Sequence, residues 1–307
     1  MPNGHENSAK RPLMDKGVKY ILECCRNLFA YAARRRHLSA YAENPFAQIE
    51  VDRVPVELAR PVVLFTPDQE RRFLEACDDQ QFPLFLTLML TGLRPGELCH
   101  LLLPEDLDLS AGVLRVRNKP RLGWQVKTRA ERDVPLLPVL AEVLRAALGG
   151  RATRPAFRQF RCNRDGYLPP LDGKTRAELE AEAESRLARR QPELGRGLTR
   201  RERLAVQRAV WRDAGAVKGD RVRAEFIRVA CKAGLPPVTA PKVLRHLFAT
   251  ALQDASVDPL VRNALMGYAS EVGQPLHGPA AGAARRGNRV RDGPTAQGGG
   301  TVPGARD

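Results

Sequence analysis

The chain has no run of about 18 apolar residues, which argues against a membrane-spanning helix. Its opening, from Met1 to Gly17, lacks an apolar core of signal-peptide length, so a cytoplasmic protein is expected. The six cysteines (Cys24, Cys25, Cys77, Cys99, Cys162 and Cys231) contain no CxxC pair and are not accompanied by histidines at zinc-ligand spacing. Neither a disulfide framework nor a structural zinc is therefore expected; free, mostly buried thiols are. From Gly273 to Asp307 there is no aromatic residue and almost no large aliphatic, against nine glycines, four prolines and five arginines. No core can form from that composition, so residues 273–307 are expected to be a disordered tail. Its abrupt onset after a well-patterned helix reads as an altered reading frame in GC-rich DNA; an uninterrupted downstream frame encoding no aromatic-containing helix would sink that hypothesis. Acidic residues are in deficit too, 35 against 50 lysines and arginines, for a net charge of +15 and a pI near 10.1. That excess points to a polyanion such as nucleic acid without saying which one.

What is present is well patterned. With 43% hydrophobic residues over 307 positions, the chain can bury one sizeable core and a second small one. Residues 17–36 place Val18, Ile21, Leu22, Cys25, Leu28, Phe29 and Ala32 at helical spacing, and residues 47–61, with Pro55 and Pro61, read as a linker. A domain boundary is expected near residue 58. Thr66-Pro67-Asp68-Gln69 carries the elements of a capping box. The nearly all-apolar run from Phe82 predicts a helix buried on most sides and ending at Gly92. Residues 113–117 and 132–136 read as two short strands, and residues 138–148, 223–231, 242–255 and 259–266 as helices. Residues 171–220 are rich in arginine, glutamate and alanine, with sparse Leu179, Leu187, Leu194, Leu198, Leu204 and Trp211, and read as an exposed helical insertion.

Three separated segments carry the chemistry: TGLRPGEL at residues 91–98, KTRAERDVPL at 127–136, and LRHLFAT at 244–250 followed by LMG at 265–267. Together and in this order they resemble the tyrosine recombinase (phage integrase) family. The resemblance implies a catalytic-domain fold that is mainly α with a small antiparallel β-sheet (α+β), spanning residues 59–272. Residues 1–58 resemble only the last part of the family's helical core-binding domain, on the pattern Leu28 to Ala32 and Asn44-Pro45. The implied activity is DNA strand cleavage and rejoining in site-specific recombination or integration, with duplex DNA and other recombinase protomers as partners. The family needs neither ATP nor a metal, so no cofactor is expected.

The resemblance assigns Arg94 and Arg245 to the scissile phosphate and Lys127 to general-acid work toward the leaving 5'-oxygen. Guanidinium suits the first task because it stays charged and donates two parallel hydrogen bonds to phosphate oxygens. Lys127 also reads as a plain solvated loop lysine, and Lys119, Arg121, Arg129 and Arg132 are candidate DNA-backbone contacts. Lys242 stands where the family usually has histidine, and it does not titrate near neutral pH as easily as imidazole. Glu97 reads as a brace for the arginine box, and His246 as a structural histidine. Tyr268 stands where the family has histidine or tryptophan, and a phenol can still donate to a phosphate oxygen. The family's habitual spacing to its nucleophilic tyrosine reaches His277, and no tyrosine follows Tyr268. Impaired cleavage is therefore expected, Tyr268 being the one displaced nucleophile within reach. Two alternatives stay open at this point: a non-catalytic DNA-binding remnant, and a type IB topoisomerase, which would relax supercoils without paired sites. A partner supplying tyrosine in trans would restore strand exchange to an impaired recombinase but not to a remnant that only occupies sites.

Overall fold

A computed structural model of the chain describes residues 15–268 apart from 40, 51–63, 150–153, 237 and 239. The expected tail at 273–307 and most of the expected linker lie outside the described residues. Helix α1 (Asp15–Arg34) buries no side chain fully. The segment after it folds back onto it: Arg26 Nε donates to the Phe46 carbonyl (3.2 Å), Asn44 Nδ2 donates to the Arg26 carbonyl (3.0 Å), and the Phe29 and Phe46 rings meet at 5.4 Å.

Helix α2 (Pro67–Glu75) starts on the predicted capping box. The Gln69 amide donates to Thr66 Oγ1 at 3.3 Å, and the Thr66 amide donates to Gln69 Oε1 at 3.0 Å. Such a cap stabilises a helix start by about 1 kcal/mol. Helix α3 (Gln81–Thr91) is apolar all round and buried accordingly, and Gly92 ends it in the left-handed conformation. Phe65, Phe73, Phe85 and Phe226 pack at ring separations of 5.3 to 6.5 Å and form the aromatic centre of the main core. After the short α4 (Pro95–Leu98), β1 (Leu102–Leu103) pairs antiparallel with β5 (Arg154–Pro155). A second antiparallel sheet has the order β2 (Leu107–Asp108), β3 (Val113–Val116), β4 (Arg132–Pro135), in the register Leu114 to Val134 and Val116 to Arg132. The sequence pattern anticipates β3 and β4; strands of two residues have no period to detect. Helix α5 (Pro138–Leu148) packs against α3.

The remaining elements are α6 (Phe160–Arg164), α7 (Arg176–Leu194), α8 (Arg200–Asp213), α9 (Gly219–Lys232), α10 (Lys242–Asp254) and α11 (Pro259–Met266). Helices α7 and α8 correct the expectation of an exposed insertion. Leu179, Ala183, Val210 and Trp211 are buried with Leu102 and Leu122 in a second, smaller core. The few apolar residues of the segment suffice because the two helices face each other and a 3-10 turn at Pro120–Leu122. The result is the mainly α architecture with small antiparallel sheets that the motifs implied.

Candidate functional site

Three elements far apart in sequence meet at the C-terminal end of α11. The first is the turn between α3 and α4, where the Pro95 start of α4 leaves Arg94 extended at the N-cap. Glu97, one turn on and 2% exposed, accepts the Arg94 backbone N–H at 2.9 Å and Arg94 Nη1 at 2.8 Å. The second is β4, whose alternation turns Arg132 inward. Its Nη1 and Nη2 donate to the two Glu97 oxygens at 3.1 and 2.6 Å, and its Nε to the Leu265 carbonyl at 2.9 Å. Burial alone would raise the Glu97 pKa, but the hydrogen bonds and charge of Arg132, joined by Arg94, hold it below the ordinary carboxylate value.

The third element is α10, which brings Arg245 to the same helix end. This guanidinium is 6% exposed and donates to the carbonyls of Gly92 and Met266. Arg94 Nη2 reaches the adjacent Gly267 carbonyl at 3.4 Å, so the two arginines share one helix end, whose partial negative charge favours them. Burial and then the neighbouring Arg94 charge push the Arg245 pKa down, yet a guanidinium remains charged at neutral pH. The Tyr268 ring lies over both, 5.0 Å from Arg245 Cζ and 6.0 Å from Arg94 Cζ, and is half exposed. Gly267 makes the convergence possible. Its φ is +63°, and a Cβ there would stand 2.6 Å from Arg132 Nη1.

Lys127 is exposed in a turn closed by the Arg129 amide on the Val126 carbonyl at 2.8 Å, and its neighbour Thr128 donates Oγ1 to the same Gly267 carbonyl at 3.3 Å. Lys242 is exposed at the first position of α10, one turn before Arg245. Burial, then the charges of Lys242 and Arg245, lower the His246 pKa and so favour the neutral imidazole. Arg94, Arg245 and Tyr268 thus form one cluster, with the Lys127 turn and the start of α10 beside it.

Two expected DNA contacts are corrected. Lys119 is 1% exposed, with Nζ 2.7 Å from Asp106 Oδ2, and Asp106 is itself fully buried, so this ammonium has no path to a polymer outside. Arg132, 8% exposed, has its charge matched by Glu97, which accepts from both Nη groups, while its Nε donates to the Leu265 carbonyl; Arg245, by contrast, donates to neutral carbonyls. Arg129 and Arg121 are exposed, although Arg121 already lies 3.7 Å from Glu184 and 3.9 Å from Glu180. Thr128 and the carbonyls of Met266 and Gly267 join the site without having been expected, because backbone acceptors leave no mark in side-chain chemistry. Among the described residues no group of three histidine, cysteine or acidic side chains is placed to hold a metal, and no helix is long and apolar enough to cross a membrane.

Residues 64–162 match the model of the phage integrase family. No curated protein matches the chain. Among solved structures, the Tn1549 transposon integrase in complex with transposon right end DNA is similar, with a TM-score of 0.54 at 20% identity over 83% of this chain and 72% of that one. A lambda integrase dimer bound to a COC' core site gives a TM-score of 0.50 at 16% identity, over 84% of this chain and 74% of that one. A lambda integrase tetramer bound to a Holliday junction gives 0.50 at 15% identity, over 85% and 61%. At these identities the structural likeness is one of fold.

Proposed function

We propose that the protein, whose residues 64–162 match the phage integrase family and whose fold is similar to that of a transposon integrase, grips a backbone phosphate of duplex DNA in site-specific recombination or integration. The observation that carries this reading is a surplus of charge. Two guanidiniums, Arg94 and Arg132, share the single carboxylate of Glu97, and a third, Arg245, lies beside them with its donors on the neutral carbonyls of Gly92 and Met266, so three positive charges face one negative charge. A phosphodiester brings one negative charge, and its pentacoordinate state brings more, into a desolvated place where such donors act most strongly. Arg94 and Arg245 clamp the non-bridging oxygens, Tyr268 and Lys242 add donors, and Lys127 approaches from its turn as general acid to the leaving oxygen. Other protomers of the same kind are the natural protein partners, and the cytoplasm is the compartment. The test is fluorescence anisotropy on a labelled duplex. Wild type is expected to bind with steep salt dependence, and equal binding by an Arg94→Ala, Arg245→Ala double variant would remove the proposal.

A second reading, occupation of DNA without cleavage, is favoured by His277 standing at the spacing where the family has its nucleophilic tyrosine. The Tyr268 ring over both guanidiniums supports a phosphate-contact role better than an attacking one. A suicide duplex that traps 3'-phosphotyrosine decides between the two readings. No adduct is expected; an adduct lost in Tyr268→Phe would make Tyr268 the nucleophile.

A further inference from the structure

The connection between β3 and β4, which carries Lys127, is 15 residues long (117–131), and it is not a free hairpin. Its first half is fastened to the inserted helices. Trp211 Nε1 of α8 donates to the Leu122 carbonyl at 2.9 Å, and Gln207 Nε2 donates to the Arg121 carbonyl at 2.8 Å. Gly123 allows this approach: a Cβ there would lie 2.5 Å from Gln207 Oε1, and φ is +70°. Trp124 stacks on His100 of the arginine-box segment at 3.8 Å and nearly parallel, while Trp211 meets His100 edge-on at 4.7 Å. The buried Lys119–Asp106 pair anchors the same loop from below.

One side chain transmits this anchoring to the Lys127 turn. Asn118 Nδ2 donates to the Arg129 carbonyl at 3.1 Å, and its Oδ1 accepts the Val126 amide at 2.9 Å, so a single amide grips both ends of the turn that has Lys127 and Thr128 at its centre. Asn118 is held in turn by the insertion, since Arg176 Nη2 of α7 reaches its carbonyl at 3.5 Å, and by its own amide donating to Glu131 Oε1 at 2.8 Å. On the far side Thr128 touches Gly267, the residue that Arg94 also contacts.

We propose that the α7–α8 insertion is a brace that presets the Lys127 turn beside the arginine pair, with Asn118 as the positioning residue that links the brace to the turn. This rests on the phosphate-gripping reading of the site for its purpose, though not for its geometry. A turn fixed before DNA arrives loses less conformational freedom on binding, so each contact from Lys127 counts for more.

The experiment uses the full chain with Asn118→Ala and, on the insertion side, Gln207→Ala, which removes the donor to the 120–122 turn together with most of the side chain, and Trp211→Phe, which removes the indole N–H and keeps an aromatic ring. Hydrogen exchange by mass spectrometry is read for amides 126–129 against α3 and α5 as internal controls. Exchange in the turn is expected to accelerate about tenfold in Asn118→Ala and by less in the two insertion variants, with α3 and α5 unchanged. A double-mutant cycle on duplex affinity adds a readout that general destabilisation does not move. Lys127→Ala is expected to weaken binding about fivefold in wild type and hardly at all in Asn118→Ala. Unchanged exchange in the turn, or an equal Lys127→Ala penalty in both backgrounds, overturns the brace. If wild type binds no duplex, the phosphate-gripping reading falls by itself, and the exchange result alone decides whether the insertion holds the turn.

Discussion

Two buried carboxylates, nine residues apart, each hold a basic partner that sequence reasoning had offered to DNA. Glu97 binds Arg132 through both oxygens and also takes Arg94, and around it positive charge outnumbers negative. Asp106 binds Lys119 one to one, through one oxygen that also accepts the Leu102 amide at 2.7 Å, while its Oδ1 meets no partner. The first arrangement is open, because a carboxylate shared among guanidiniums leaves donors and charge for an anion. The second is closed, because its charges cancel and both groups are sealed from solvent. Proximity of basic residues in sequence therefore says little about which of them meets a phosphate; the local count of compensating acids says more.

The comparison is broken most forcefully by removing each carboxylate. Glu97→Ala strands buried guanidiniums that cannot shed their protons, and breaking such a buried pair costs about 3–5 kcal/mol. Chemical denaturation should show that loss at every pH between neutral and 10. Asp106→Ala should cost less, because a lysine already pushed down by burial can become neutral. With Lys119 neutral in the folded chain and protonated in the unfolded one, stability rises with pH up to the unfolded lysine value, so the Asp106→Ala deficit should shrink between pH 7 and 10. A deficit that stays flat across that range would mean that Lys119 keeps its proton without Asp106.

DNA affinity separates the two regions next. Arg245→Ala removes a charged donor pair from the open site and should weaken duplex binding about 10- to 100-fold, lowering the slope of log affinity against log salt by about one. Lys119→Met should leave that slope where it was. Equal slopes in wild type and Arg245→Ala would place the phosphate elsewhere.

Much of this was legible in the residues. The capping box at Thr66, the buried helix ending at Gly92, the start of α10 at Lys242 and the whole of α11 follow from side-chain period and end signals. The pairing of Arg94 with Arg245 came from the family resemblance of the three motifs, and Glu97 was read as a brace for the arginine box. Lys119 was misplaced because the β3–β4 connection wanders for fifteen residues without a period to read, and Arg132 because its charge outweighed an alternation that puts it on the buried face of β4 with Val134; the three-dimensional partners Asp106 and Glu97 show that both cations are spent. Residues 171–220 were read as an exposed insertion because their leucines are sparse, yet Trp211 and Leu179 bury well when a second helix lies opposite. Asn118 carried no signal at all, since a lone amide becomes a hub only through the backbone groups that the fold brings to it.

Acid stability tests the bridge between the two regions, the stacked His100. Burial lowers its pKa to about 4 from the ordinary 6.5, although its hydrogen bond to the Gly96 carbonyl works the other way. The unfolded chain therefore takes up a proton between those values that the folded chain refuses. That contribution is complete above pH 6.5 and is lost as pH falls toward 4, with a slope of up to about 1.4 kcal/mol per pH unit. His100→Phe, which keeps a ring against Trp124, should flatten the profile in that window. An unchanged profile would show that the imidazole is reached by solvent.

The smallest effect is expected from emptying the closed pair in one step. Asp106→Leu together with Lys119→Met replaces two buried charges and an unpartnered oxygen with apolar groups of similar bulk, and such swaps are commonly neutral or stabilising because two desolvation costs vanish with the Coulomb gain. Stability should stay within about 1 kcal/mol of wild type or rise, and duplex affinity and its salt slope should not move. The matching swap of Glu97 and Arg132 to leucine and methionine should instead cut affinity, because Arg94 then loses the carboxylate that aims it. If the Asp106/Lys119 swap weakened DNA binding as much as the Glu97/Arg132 swap, the distinction between an open and a closed pair would fail, and Lys119 would have to be reckoned with the phosphate after all.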